Sequence, residues 1–509
     1  MERRDPLIAG DIASNWGTNN GIITREKDAQ GIAVLGTAKA RNSLHYLIDA
    51  GSELSQNKIL TKANSPYLIE NGFTIPTGKT LTIKEGVVIK FAKNTSALEV
   101  AGSLKVKGKS GDEVVFTAFA DDAYGGDTDN SSQTPAAGSW QYVKIFSTAA
   151  NTSLDYARMR YGGKITNGDS TSGRALLRVE SVPVTITNST FEHSAYYGIR
   201  MTNSNSTIAT STFSNMNPAT DIEGTHAALF ISGGDPLISG NTFNTNKRGI
   251  YLSGNTQAII KANTFTDHTS YPIQQSNAAA AFSGNNGSAN AANVILFSDT
   301  LGIANATTTL AANSLPFMLS GMVTVPQNGA LAIEKNVVVK GGNDSSLFVN
   351  GNLLLNGATS SDIVFEASAD NAPDGYWAGI TLESTSKATL KGFTVRSAGG
   401  SITGFPTNKA GLRAKISVTI ENALIEKNRN VGVWFDAPST IRNTVFRSHT
   451  QGTAGPRALF INETSATLDT VTFTSNTTGI YATTNATATS TVPVIFEGNT
   501  TNTNPSDFL

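Results

Sequence analysis

Residues 189–201 read STFEHSAYYGIRM, residues 241–252 read NTFNTNKRGIYL and residues 471–482 read VTFTSNTTGIYA. Each writes a Thr-Phe pair, a short polar gap, then a Gly-Ile pair followed by a large side chain. Successive side chains of an extended segment face opposite ways. The two apolar pairs are therefore short strands on either side of a corner, each pointing one residue inward. Strands this short cannot form a stable sheet alone. Wound as a coil, however, each pairs in parallel with its counterpart one turn on, about 4.8 Å away, and the inward residues of successive coils make a continuous core. Phe191, Phe213, Phe243 and Phe265 should form an inward aromatic ladder, and Ile199 with its equivalents an aliphatic one. Asn188, Asn241, Asn263 and Asn443, two or three residues before a ladder Phe, suit the bend. Asparagine tolerates the left-handed backbone, and its amide can bond to the next coil or to local backbone.

The period extends outward from that stretch. Gly198-Ile199-Arg200, Ala228-Leu229-Phe230, Gly249-Ile250-Tyr251 and Tyr271-Pro272-Ile273 recur at about 21 to 30 residues, the spacing of solenoid repeats. A longer repeat encloses it. The segment LTIKEGVVIKFAKNTSALEVAGSLKVKG from Leu81 is matched by LAIEKNVVVKGGNDSSLFVNGNLLLNG from Leu331, and Trp140 is matched by Trp377. The chain therefore reads as an all-β parallel solenoid in two tandem copies, residues 65–305 and 306–509, behind a capping segment, residues 1–64. Within that segment AVLGTAKARNSLHYLIDAG, with Val34, Leu35, Ala38, Leu44, Leu47 and Ile48, predicts a short amphipathic helix over the first coil's exposed edges. Residues 276–293, SNAAAAFSGNNGSANAAN, are expected to interrupt the repeat. Trp140 and Trp377 each open a strand and are expected to be structural.

Composition agrees. The 509 residues hold 38 basic and 39 acidic side chains, only 15% charged in all, so no polyanion partner such as nucleic acid is indicated. Cysteine is absent, which excludes disulfides and thiolate metal sites. No apolar run approaches the roughly 20 residues that span a bilayer. Met1 is followed by Glu2-Arg3-Arg4 without an apolar signal region; a removed signal peptide or lipid-bearing cysteine would leave the same start.

The NSTF…GIxM rung, together with GKTLTIKEGVVIKF, LKVKG and VVFTA ahead of WQYVKI, resembles the right-handed parallel β-helix proteins, the superfamily of pectate lyases and polygalacturonases, and within it the large bacterial cell-surface members. The resemblance covers residues about 65 to 505 and implies fold far better than function. The polygalacturonase-like signatures Asn-Thr-Asp, Gly-His-Gly and Arg-Ile-Lys are absent. The pectate-lyase-like Asp-His pair occurs only at Asp267-His268, without its neighbouring motif residues.

Several residue groups have side chains suited to chemistry. Asp121, Asp122, Asp127 and Asp129 in DDAYGGDTDN form an acidic, Gly-containing insertion. It is a weak calcium candidate, without the order of an EF-hand, and a solvated loop is the plainer reading. His193, His268 and His449 follow ladder phenylalanines and are expected at corners on separate rungs. Asp221, Glu223 and His226, with Arg200, are the alternative catalytic cluster of an atypical polysaccharide lyase or hydrolase. Thr-x-Thr arrays of the ice-binding kind occur as scattered pairs, TLTI and TVTF, with no register evident over many rungs.

The outward positions carry the functional reading. If Ile199, Leu229 and Ile250 face in, then Arg200, Phe230 and Tyr251 face out, and in the second copy so do Trp434, Phe460 and Tyr481. A rung-spaced row of rings is an apolar strip that should meet a glycan, a surface protein partner or the chain's own loops. The expectation is a non-catalytic, extracellular or cell-surface module that binds polysaccharide or a protein through these strips, with no cofactor beyond the calcium candidate. An outer-membrane lipoprotein lacking its signal and anchor here fits the same reading, and a purely structural scaffold is the other alternative.

Overall fold

Apolar alternation in three-to-five-residue runs gives short parallel strands in the computed structural model. It describes residues 51–129, 132–164, 174–216, 224–401, 409–453 and 455–504, with residues 2–3, 11, 16–17, 30 and 48–49 ahead of them. The predicted amphipathic helix falls almost wholly outside the described residues. The chain divides into two compact units, Met1–Tyr251 with Thr264–Ser270, and Leu252–Asn263 with Tyr271–Leu509.

In the first unit the strand Thr190–Glu192 pairs in parallel with Thr212–Ser214, that with Thr242–Asn244, and that with Thr264–Thr266, phenylalanine beside phenylalanine at each step. Ring centroids are 5.2, 4.7 and 4.9 Å apart with planes within 10°. All four rings are fully buried. Phe116 and Met159 carry the column back toward the start. The aliphatic ladder runs Leu177, Ile199, Leu229 on neighbouring strands. Both ladders are as predicted, and the coil is a parallel β-helix.

The corner asparagines divide into two roles. Asn188 sits at φ 51 and Asn443 at φ 44, supplying the left-handed residue that turns one short strand into the next. Asn241 and Asn263 sit one place later and are buried in a ladder of side-chain oxygens. There Ser189 N–H donates to Ser211 Oγ (3.1 Å), and Ser211 N–H to Asn241 Oδ1 (2.9 Å). Each buried corner amide thus finds its acceptor one coil away, which a corner without strand partners must arrange.

In the second unit the inward column runs Phe365, Val395, Ile425, Phe446, Phe473, Phe496. Beside it, facing out, Arg396, Glu426 and Arg447 alternate in sign on successive strands. Opposite charges side by side stabilise where like charges would repel. Trp140 and Trp377 are structural: both are buried, and their indole N–H groups donate to the Arg160 and Arg396 carbonyl oxygens at 2.8 and 3.0 Å.

Two sequence expectations are corrected. Residues 276–293 do not interrupt the repeat. Ile273–Ser283 is an 11-residue strand that pairs in parallel with its neighbours on both sides of a register shift between Ser276 and Ala278, and Asn285 joins a corner ladder with Asn263 and Asn313. Alanine fits because inward positions need only be apolar, not large. The second correction is that strand pairing reaches before residue 64, since Lys58–Leu60 already pairs in parallel with Thr80–Lys84. No helix among the described residues is long and apolar enough to cross a membrane.

Candidate functional site

The outward face of the second copy is built by register. Thr381, Arg413, Trp434, Phe460 and Tyr481 stand side by side on five successive strands, each between two inward apolar residues. The column two residues further along adds Glu383, Lys415, Asp436 and Asn462. Lys415 bonds Glu383 at 2.8 Å. Arg413 Nε reaches Asp436 Oδ2 at 2.7 Å, while Trp434 Nε1 and Asn462 Nδ2 both donate to Asp436 Oδ1 at 2.9 Å.

The strip is not the flat row of open rings the sequence suggested. Phe460 is only 8% exposed. Trp434 packs edge-on to it at 4.7 Å and Tyr481 at 5.5 Å. Arg457 lies 5.0 Å over the Phe460 ring and 3.8 Å over Tyr481, and Arg413 lies 4.2 Å over Trp434. Guanidinium groups settle on ring faces, so the middle ring is enclosed and Trp434 and Tyr481 remain half-exposed at the edges.

The first copy repeats the plan in a more closed form. Arg178, Arg200 and Phe230 occupy neighbouring strands. Tyr251 stacks on Phe230 at 5.7 Å with planes 2° apart, Tyr197 packs on its other side at 5.0 Å, and the Arg200 guanidinium lies 5.2 Å from the ring. Phe230 is 9% exposed, again short of an open surface.

Asp221 and Glu223 of the alternative catalytic cluster lie outside the described residues. His226 is fully buried, with Nε2 2.7 Å from the Tyr196 carbonyl oxygen and its ring edge-on to Tyr196. Arg200 belongs to the outward column just described.

The histidines are corner residues. His193 takes the left-handed position at φ 55 and stacks on Tyr161. His268 and His449 occupy places in buried asparagine ladders: Asn246 N–H donates to His268 Nδ1 (3.2 Å), and Asn428 N–H to His449 Nδ1 (3.3 Å). Burial holds both imidazoles down to a pKa of about 4; at His449 the Asn428 and Ile425 carbonyl oxygens, 3.3 and 3.0 Å from its ring nitrogens, oppose the shift.

The acidic insertion is exposed at Asp122, Ala123, Gly125, Gly126 and Asp127, as a solvated loop would be, but it is anchored from beneath. Lys90, 1% exposed, donates to the Gly126 carbonyl (2.6 Å), Thr128 Oγ1 (2.9 Å) and the Phe119 carbonyl (3.4 Å). Burial pushes its pKa below the usual lysine range, while Asp122, Asp121, Asp129 and Asp127 oppose the shift. Tyr124 packs against the Arg160 guanidinium at 5.3 Å. Asp121 turns inward to Thr117 Oγ1 at 2.5 Å, whereas Asp122, Asp127 and Asp129 bring carboxylate oxygens within 4.8 Å of one another.

The threonine register is also longer than sequence pairs revealed. Thr419, Thr440, Thr467 and Thr489 stand side by side on successive strands. The next outward column is charged, Glu421, Arg442, Asp469, so the two-column Thr-x-Thr face is not present there. The sequence hides this column because its members are 21 to 27 residues apart and none has a threonine partner two residues later on the same strand.

Residues 159–307 match a family profile described as right handed beta helix region. Among solved structures the chain is similar to a double mutant of the tailspike protein of E. coli bacteriophage HK620 in complex with a pentasaccharide, at 12% identity, covering 85% of this chain and 73% of that one with a TM-score of 0.23. A single mutant of the same tailspike, also with pentasaccharide, gives 11% identity, the same coverage and a TM-score of 0.22. No curated protein matches.

Proposed function

We propose that this chain, a right-handed parallel β-helix, is a non-catalytic, extracellular or cell-surface module that binds a linear polysaccharide along the outward face of its second copy. The observation that carries the reading is the pairing of half-buried Trp434 and Tyr481, two rungs apart, with the polar side chains of Lys415 and Asn462 in the neighbouring outward column. Two rungs are about 9.6 Å at the spacing of parallel strands. Rings that accept the apolar face of a sugar, next to groups that hydrogen-bond its hydroxyls, are what a carbohydrate surface requires. The face also suits a polymer rather than a small ligand, because it is a row rather than an enclosed cavity. The Arg200, Phe230, Tyr251 column of the first copy offers a second, more closed surface of the same kind.

Affinity electrophoresis through gels containing xylan, alginate or hydroxyethylcellulose tests the proposal. The wild type should be retarded by at least one polymer without shortening it, and Trp434→Ala should abolish that retardation. Retardation by none of them, or retardation unchanged by Trp434→Ala, would sink the reading.

A further inference from the structure

We infer that Asp436 is the positioning residue of this surface, holding the Trp434 ring in the orientation that receives ligand; the inference rests on the glycan-binding reading above. Asp436 lies two residues beyond Trp434 on the strand and continuation of Val431–Phe435, so both side chains leave the same face. Its carboxylate ties three successive coils together. Arg413 from the coil before donates to Oδ2, Asn462 from the coil after donates to Oδ1, and Trp434 itself donates to Oδ1.

The consequence for the indole is specific. An indole has one N–H, and fixing it on a carboxylate sets the tilt of the ring about its own side-chain axis. With the Arg413 guanidinium 4.2 Å over the ring and Phe460 meeting it at 60°, Trp434 has little freedom left. A ring already in its bound orientation loses less side-chain entropy when ligand arrives.

The first copy shows what the face is like without this carboxylate. One coil before Phe230, in the place that Trp434 holds one coil before Phe460, stands Arg200. Thr202 stands where Asp436 does, and Arg200 Nη1 donates to its hydroxyl at 3.1 Å. There the side chain preceding the buried phenylalanine is a cation turned onto that ring, not a ring held outward by an acid.

The test compares wild type, Asp436→Ala and Asp436→Asn by affinity electrophoresis in the same three gels, with acrylamide quenching of tryptophan fluorescence as a second readout. Trp140 and Trp377 are buried, and the fourth tryptophan is removed by Trp16→Phe in every protein compared, so a change in quenching reports Trp434. Asp436→Ala should weaken binding about tenfold, the scale of one lost charged hydrogen bond, and should make Trp434 easier to quench. Asp436→Asn keeps an oxygen for the indole N–H and should restore both readouts most of the way. Retardation of the wild type that Asp436→Ala leaves intact would overturn the inference alone. So would loss of binding with quenching unchanged, because the carboxylate would then act directly on ligand. A wild type that no polymer retards removes the glycan reading itself, and this inference with it.

Discussion

His449 stands in a column where its neighbours are Asn428, Asn476 and Asn499, and its backbone N–H donates to Asn476 Oδ1 as an asparagine's would. What differs is that an imidazole can take up a proton. Its pKa is held down to about 4 in the fold, as is that of His268, whereas the unfolded chain protonates near 6.5. Between these values the unfolded state binds more protons, so stability falls as the pH drops from about 6.5 to 4 and levels off below. Each histidine should contribute on the order of 3 kcal/mol to that loss. Thermal melts across this range check it: His449→Asn should flatten the slope while leaving the neutral-pH melting temperature nearly unchanged. That both histidines occupy corners was legible from their offset to Phe265 and Phe446. Their burial was not, because the ladder's members are 21 and 27 residues away and lie together only once the coil is wound.

Among elements, the insertion after the strand Val114–Ala118 depends most on a residue outside itself. Lys90, from the strand Val88–Phe91, enters from beneath and bonds two of its carbonyls and one hydroxyl. Lys90→Met would remove the ammonium from the Gly126 carbonyl and Thr128 Oγ1, leave the Phe119 carbonyl only its bond from Thr128, and take from the aspartates a nearby buried cation. The loss should be about 3 kcal/mol, seen as a lower melting temperature and as protease cleavage at residues 119–129. In sequence Lys90 looks like an outward strand lysine, since alternation sets which way a side chain leaves the strand but not what folds over it. The Phe ladder is the opposite case. Its members were legible one by one, and Phe213→Ala should cost about 3 to 5 kcal/mol, the scale for deleting a buried ring, measured by chemical denaturation. The strips fell between these cases: alternation gave the facing of Phe230 and Phe460, and cation stacking, invisible to alternation, buried them.

For the whole molecule, the repeat makes length itself adjustable. Phe191 and Phe213 hold equivalent places 22 residues apart, and Glu192 is equivalent to Ser214. Removing residues 192–213 would join Phe191 to Ser214 and delete one complete coil with every ladder still in step. That variant should remain folded, with the β spectrum by circular dichroism and a cooperative melt. Deleting residues 192–202 instead puts inward residues outside and should abolish both, since a coil out of register cannot pair with its neighbours. The fold was legible at this scale because a coil announces itself many times over. The binding surface was less so, because Arg413, Asp436 and Asn462 come from three coils and no single stretch contains their network.

The strict ladders within and the loose columns without have a genealogical consequence. A duplicated gene segment that spells whole coils inserts without inventing a new core, and its descendants are held to the same inward letters while their outward letters drift. Arg200 and Trp434 then read as two heirs of one position, one now a cation turned onto its neighbour, the other a ring with, two residues on, the acid that steadies it.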